Sequence, residues 1–209
     1  MNFTECIAKL HTTFNNPLPG YEAQQLLAPF HRKSTAFYLE RNPSYKTGCV
    51  MIILFPINNQ PHLIMIERSD GDGRAHSGQI SFPGGRRELD DATLIDVALR
   101  ETYEEIGVNP SSIKISGELT ELYIPVSNYL VHPFVGIIDQ LPEFILNTAE
   151  VKKVLIPELD LFLKHDGMST FDFTSYDGSI INAPYYSFGD YKIWGASAMM
   201  ISELCTLIK

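Results

Sequence analysis

The segment Arg100-Glu101-Thr102-Tyr103-Glu104-Glu105-Ile106-Gly107-Val108, preceded by Phe82-Pro83-Gly84-Gly85, decides the reading of this chain. Its spacing predicts a helix from about Thr93 to Ile106, stopped by Gly107, with Asp90, Asp91 and Thr93 competing as its cap. On that helix Leu94, Ile95, Ala98, Leu99, Thr102 and Ile106 share the core face, and Asp96, Arg100 and Tyr103 lie opposite. Glu101, Glu104 and Glu105 stand at i, i+3 and i+4 on the flank, where their carboxylates are expected to converge. Each like-charge pair costs on the order of 0.2–0.5 kcal/mol even when exposed. The last turn of a helix also disfavours negative charge. A hard divalent cation relieves both penalties, because Mg²⁺ takes one or two carboxylates and completes its shell with water and phosphate oxygens. A solvated acidic face carries the same residues, so the neighbours decide. Gly84-Gly85 form a turn whose backbone amides can approach a phosphate. Arg100 can anchor a carboxylate or hold that turn.

Working outward, CVMIILFPI from Cys49 and HLIMIER from His62 are apolar runs joined by Asn58-Asn59, the pattern of neighbouring buried strands. The Gly-, Ser- and Asp-rich stretch from Ser69 to Gly85 reads as a loop, with a brief strand at Gln79 to Phe82. Further strands are predicted around Ile113 to Leu122, Leu130 to Ile138 and Val151 to Ile156. Tyr176-Asp177-Gly178-Ser179 signals a hairpin, and Trp194 to Ile208 a closing helix. Strands interleaved with two or three helices make an α/β or α+β sandwich. Residues 1–45 are expected to form a helical extension packed on a domain of residues 46–209. Phe3, Ile7, Leu10 and Phe14 share one helical face, suited to core packing or a homodimer contact, and Tyr21 to Ala28 suggest a second short helix.

Composition narrows the function. The 209 residues carry a formal net charge of −9 and 44% hydrophobic residues. That is an ordinary globular balance, and it argues against non-specific nucleic-acid binding. A phosphate-bearing substrate must then be attracted locally. Cys6, Cys49 and Cys205 lack metal-ligand spacing and read as buried hydrophobes of a reducing compartment. The N-terminus MNFTECIAKL lacks a signal-peptide pattern, no apolar run reaches the ~20 residues of a membrane span, and TLIK forms no targeting motif. A cytoplasmic location without membrane attachment is expected.

Gly84-Gly85 followed by Arg100-Glu101-x-x-Glu104-Glu105-x-Gly107-Val108 resembles the Nudix box, the signature of the Nudix hydrolase superfamily. The resemblance implies an α/β/α sandwich with a mixed sheet, in which the box forms a loop–helix–loop. It also implies hydrolysis of a nucleoside diphosphate linked to another group, with Mg²⁺ or Mn²⁺ held by Glu101 and Glu105 and assisted by Glu104. The spacing departs in one place: one residue more separates the second glycine from Arg100, and the box's earlier glutamate falls on Ala92. Asp90, Asp91 and Glu88 are the acids able to replace it. The family often takes its general base from outside the helix, and Glu150, just before an apolar strand, is the candidate; an exposed loop acid would look the same.

Upstream, Ile64-Met65-Ile66-Glu67-Arg68-Ser69, Arg74, Gly78 and Phe82-Pro83-Gly84-Gly85 resemble the coenzyme A pyrophosphatase branch of that family. Ala75 to Gly85, Pro133-Phe134-Val135-Gly136 and Ile193-Trp194-Gly195-Ala196 are similar to it too, and one extra residue lies within Asp70 to Gly73. The implied products are adenosine 3′,5′-bisphosphate and 4′-phosphopantetheine. Arg68 and Arg74 are the candidate phosphate ligands, because guanidinium grips phosphate bidentately. Arg86 and Arg87 come second, with pairing to nearby acids the plainer role, and His76 reads as a hydrogen-bonded loop residue. Two alternatives are a Nudix hydrolase of another nucleoside diphosphate derivative and a module that binds a nucleotide without cutting it. The presence of Glu101, Glu104 and Glu105 disfavours the second.

Overall fold

The computed structural model describes residues 1–69, 78–164, 169–174 and 178–209. Its first three helices are α1 (Phe3–Thr13), α2 (Gly20–Gln24) and α3 (Thr35–Arg41). Two long strands follow, β1 (Lys46–Ile57) and β2 (Gln60–Arg68), paired antiparallel from Ile53↔Ile64 to Ile57↔Gln60. Asn58 and Asn59 both take positive φ (50° and 62°), as the tight primed turn between twisted strands requires. Alternate residues of β1 serve two cores: Ile52 and Leu54 face one side of the sheet, Met51, Ile53 and Phe55 the other. A strand buried on both faces reads as a continuous apolar run, as CVMIILFPI does.

The next elements explain the glycines. β3 (Ile80–Ser81) pairs with the end of β2, and β4 (Gly84–Arg86) pairs with the start of β1. The chain from Ile80 to Arg86 therefore crosses from β2 to β1 where those two strands part. Gly84 sits in the fork at φ +155°; a Cβ there would lie 2.2 Å from the Cys49 carbonyl oxygen and 2.6 Å from Val50 Cα. Only glycine fits so close to backbone.

Helix α4 (Leu94–Ile106) follows, then β5 (Lys114–Glu118), β6 (Leu122–Ile124) and β7 (Tyr129–Ile137). β7 runs parallel to β1, while β5 and β6 both pair antiparallel with β7. β8 (Val151–Leu155) pairs with β2 on the edge away from β1, completing a mixed eight-stranded sheet. The short α5 (Asp160–Leu163) leads to a second, three-stranded sheet of β9 (Ser169–Thr174), β10 (Ile180–Phe188) and β11 (Tyr191–Trp194). Helix α6 (Gly195–Ile208) closes the fold. α4 covers one face of the large sheet with Val97, Ala98 and Ile106; α1 and α6 cover the other with Cys6, Leu10, Ala198 and Leu204. This is the α/β/α sandwich with a mixed sheet.

Several expected elements change. The strand expected over Ile113 to Leu122 is two, β5 and β6, separated by a loop in which Glu203 of α6 holds Thr120 through its N–H (3.2 Å) and hydroxyl (2.6 Å). The same buried carboxylate accepts from Gly20 N–H (3.2 Å) and Gln24 Nε2 (2.9 Å), fastening α2 to α6. The core face of α4 also differs: Val97 and Glu105 are buried, while Leu94, Ile95 and Leu99 are half-buried. α3 buries no residue fully, and so left no apolar period to read. β9 and β10 pair across the expected hairpin, whose residues 175–177 lie outside the described ones.

Candidate active site

α4 is set by its ends. Thr93 accepts a hydrogen bond from Asp96 N–H (3.2 Å) while Asp96 accepts one from Thr93 N–H (2.9 Å), a reciprocal capping box. Gly107 ends the helix at φ +76°. Of the three candidate caps Thr93 serves, which releases Asp91 for another task.

Arg100 organises the exposed side of the helix. Its Nε and Nη2 bind Asp91 Oδ1 and Oδ2, both at 3.0 Å, in a fork. Nη2 also donates to the Arg86 carbonyl at 3.0 Å, which holds the glycine turn against the helix. Nη1 reaches Glu101 Oε1 at 3.0 Å and Glu104 Oε2 at 2.9 Å. Asp91 additionally accepts from Glu88 N–H at 2.7 Å. The Arg100 hydrogen bonds, ahead of the opposing cost of burial, hold the Asp91 carboxyl below its ordinary value. Of Asp90, Asp91 and Glu88, Asp91 is the acid that Arg100 grips. Glu88 faces Arg86 at 3.4 Å, and Arg87 donates to the Asp91 carbonyl at 3.4 Å.

The three glutamates do not converge on one point, contrary to the helical-wheel expectation. Among the described residues, no group of three His, Cys, Asp or Glu side chains is placed to hold a metal ion. The reason is Arg100, which turns Glu104 (51% exposed) toward solvent and grips one oxygen of Glu101. Glu105 instead points into the fork. It is 1% exposed, accepts from Gly84 N–H at 2.9 Å, and meets Arg68 Nη1 at a longer 3.4 Å. Burial pushes the Glu105 carboxyl up to about 7; the Gly84 hydrogen bond and Arg68 oppose this, and the charges of Glu101 and Glu150 add to it. Glu101 is raised as well, first by burial, with Arg100 opposing and Glu104 and Glu150 adding.

Gly85 completes the arrangement. A Cβ there would stand 2.4 Å from Glu101 Oε1 and 2.5 Å from Oε2, so the carboxylate lies where a side chain would be. Glu101 and Glu105 flank the double glycine as hard oxygen donors whose ionised forms are disfavoured until a cation joins them. That donor set fits a hydrated divalent ion of the Mg²⁺ type.

Glu150 sits in a loop stitched to the helix. Asn147 N–H donates to the Glu105 carbonyl at 3.0 Å, Glu150 N–H to the Asn147 carbonyl at 2.9 Å, and Ser69 N–H to the Glu150 carbonyl at 2.8 Å. Its charge acts on both Glu101 and Glu105. Sequence spacing missed Asn147 and the pairing of Glu67 with Lys152 (2.6 Å), a contact between distant segments that no local pattern reports. Arg74 and His76 lie outside the described residues. The Pro133 to Gly136 segment lies within β7, where a Cβ on Gly136 would meet Ile113 and Met51 at 2.5 and 3.0 Å, so its role there is packing.

Comparison with known proteins agrees with this construction. The NUDIX domain model matches residues 46–171, more than half of the chain. Nudix hydrolase 3 of Caenorhabditis elegans is 32% identical over 174 residues, 76% of this chain and 72% of that protein. The uncharacterized Nudix hydrolase NudL of Photorhabdus laumondii is 30% identical over 158 residues, 75% of this chain and 83% of that one. Among solved structures, a MutT/nudix family protein from Enterococcus faecalis shares the fold with a TM-score of 0.55 at 18% identity, covering 83% of this chain and 69% of that one. With the box helix, its glycine fork and the domain match on the same residues, the chain belongs to the Nudix hydrolase family.

Proposed function

We propose that this hydrolase cleaves the diphosphate of coenzyme A or its derivatives, giving adenosine 3′,5′-bisphosphate and 4′-phosphopantetheine, in the cytoplasm and with Mg²⁺ or Mn²⁺. The carrying observation is the placement of Glu105 and Glu101 on either side of the Gly84-Gly85 fork, with Arg68 3.4 Å from Glu105. Glu101 and Glu105 would hold the divalent ion, which would supply neutralisation of phosphate charge and a more acidic water. Glu104 assists by sharing Arg100. The turn at Gly84 and Gly85, on which Glu101 and Glu105 close, is where the phosphate approaches. Arg68 is loosely paired and one-quarter exposed (26%), free to turn its guanidinium to an arriving phosphate. Arg74 is assigned the same task from the upstream motif alone. Glu150 takes the proton from the attacking water, a role supported by its electrostatic reach to both carboxylates.

Incubation with coenzyme A and each metal, beside a panel of other nucleoside diphosphate derivatives, tests this reading. Metal-dependent release of adenosine 3′,5′-bisphosphate that is lost in Glu105→Gln supports it. Cleavage of another diphosphate with coenzyme A left intact would keep the family and overturn the substrate. Ligand binding without any turnover would leave only a sensor.

A further inference from the structure

We propose that the groove at the C-terminal end of α4 is the subsite for the uncharged arm of the substrate, the chain of methylenes and amides joined to the diphosphate. The inference rests on the coenzyme A reading above and adds where each half of that molecule lies. The groove, ≈ 280 Å³ in volume, is lined by Tyr103, Glu104, Gly107, Ile145, Leu146 and Asn147. One wall is the last turn of α4. The other is the segment 145–147, fixed to the helix by Ile145 N–H to the Ile106 carbonyl and Asn147 N–H to the Glu105 carbonyl, both 3.0 Å. A Cβ at Gly107 would stand 2.8 Å from Ile145 Cβ and 2.9 Å from its backbone nitrogen. The groove is therefore built into the fold.

Its position and chemistry select the occupant. Glu104 lines the groove and shares the Arg100 guanidinium with Glu101, and Asn147 hangs from the carbonyl of Glu105. The groove thus adjoins, through Glu104 and Asn147, the turn of α4 that carries Glu101 and Glu105. Among the described residues no lysine or arginine lines it, and Glu104 and the helix C-terminus both make it electronegative. The phosphate-rich adenosine half is repelled there and drawn toward Arg68. What the groove offers instead is apolar: Tyr103 and Ile145 are 56% and 75% exposed beside an acidic helix end. Asn147 uses its side-chain oxygen to accept from Ala149 N–H at 3.2 Å, which leaves its amide NH₂ to donate to a carbonyl of the arm. A flat ring, a branched aliphatic and one amide suit a chain that alternates methylenes with amides.

The test uses pantetheine, which has the arm and no phosphate, titrated into ¹⁵N-labelled protein. The amides of Gly107, Ile145, Leu146 and Asn147 should shift, and should not in Tyr103→Ala or Ile145→Ser. With coenzyme A, both variants should raise KM about tenfold, the effect falling on KM rather than kcat. Absent shifts, shifts confined to other residues, or a loss in kcat at constant KM would overturn the subsite. If coenzyme A is cleaved and the shifts are absent, the subsite falls while the substrate reading stands. If coenzyme A survives and the shifts appear, the groove still binds such a chain and the substrate reading falls.

Discussion

Ionising Glu105 should destabilise the folded protein, and metal should remove that penalty. In the unfolded chain its carboxyl titrates near 4.5; burial in the fork raises it to about 7. The difference between 4.5 and about 7, at about 1.4 kcal/mol for each tenfold in proton affinity, makes the cost on the order of 3 kcal/mol. The folded state holds the proton that the unfolded state has released between those values. Stability is thus full below pH 4.5, falls as pH rises toward 7, and levels off beyond. Urea unfolding followed by fluorescence of the single tryptophan, Trp194, measures this in EDTA from pH 4 to 8. Subtracting the same profile for Glu105→Gln isolates the residue, since Gln can keep the Gly84 hydrogen bond without carrying charge. Saturating Mg²⁺ should flatten the wild-type profile, because a bound cation favours the ionised form. A wild-type minus variant difference that stays constant from pH 4.5 to 8 in EDTA would refute both the burial argument and the cation site built on it.

Other outcomes follow from the same geometry. Gly85→Ala places a methyl 2.4 Å from the Glu101 carboxylate; activity should fall at least about a hundredfold with the fold intact, checked by kinetics beside circular dichroism. Asp91→Asn breaks the fork on Arg100 and should lower unfolding free energy by about 2 kcal/mol at pH 7. Because the Asp91 carboxyl is held below its ordinary value, this contribution is present above pH 3.8 and is lost on further acidification, so wild type and variant should converge in acid. Glu203→Ala removes the acceptor of four donors and should cost on the order of 3 kcal/mol by thermal or urea unfolding.

What was legible in the chain was local. The β1–β2 turn is marked by Asn58-Asn59, and α4 by Thr93, by its apolar period and by Gly107, because each is fixed by residues close in sequence. The doubled glycine is a different case. A turn was readable, yet the need for glycine at Gly84 comes from Cys49 and Val50 across the fork, which no local pattern reports. Convergence of the glutamates failed for a related reason. Helical periodicity gives the direction of each Cβ, while Arg100 decides where Glu101 and Glu104 finally point, and its own position depends on Asp91 outside the helix. β6 separated from β5 because Thr120 is held by Glu203, a residue of the closing helix.

The contact between the two ends of the sequence governs the order in which the protein can mature on the ribosome. Gly20 and Gln24 wait for Glu203, separated from them by 183 and 179 positions, and Lys9 waits for the carbonyl of Ile208, 199 positions on. Until α6 emerges, α1 is left without its partner on that face of the large sheet, and the surface over Ile52, Leu54 and Met65 that α6 shares in covering stays incomplete. At roughly 5–20 residues per second, synthesis leaves that surface exposed for on the order of ten seconds or more. A chain stopped within α6 should therefore aggregate rather than give a weakened enzyme.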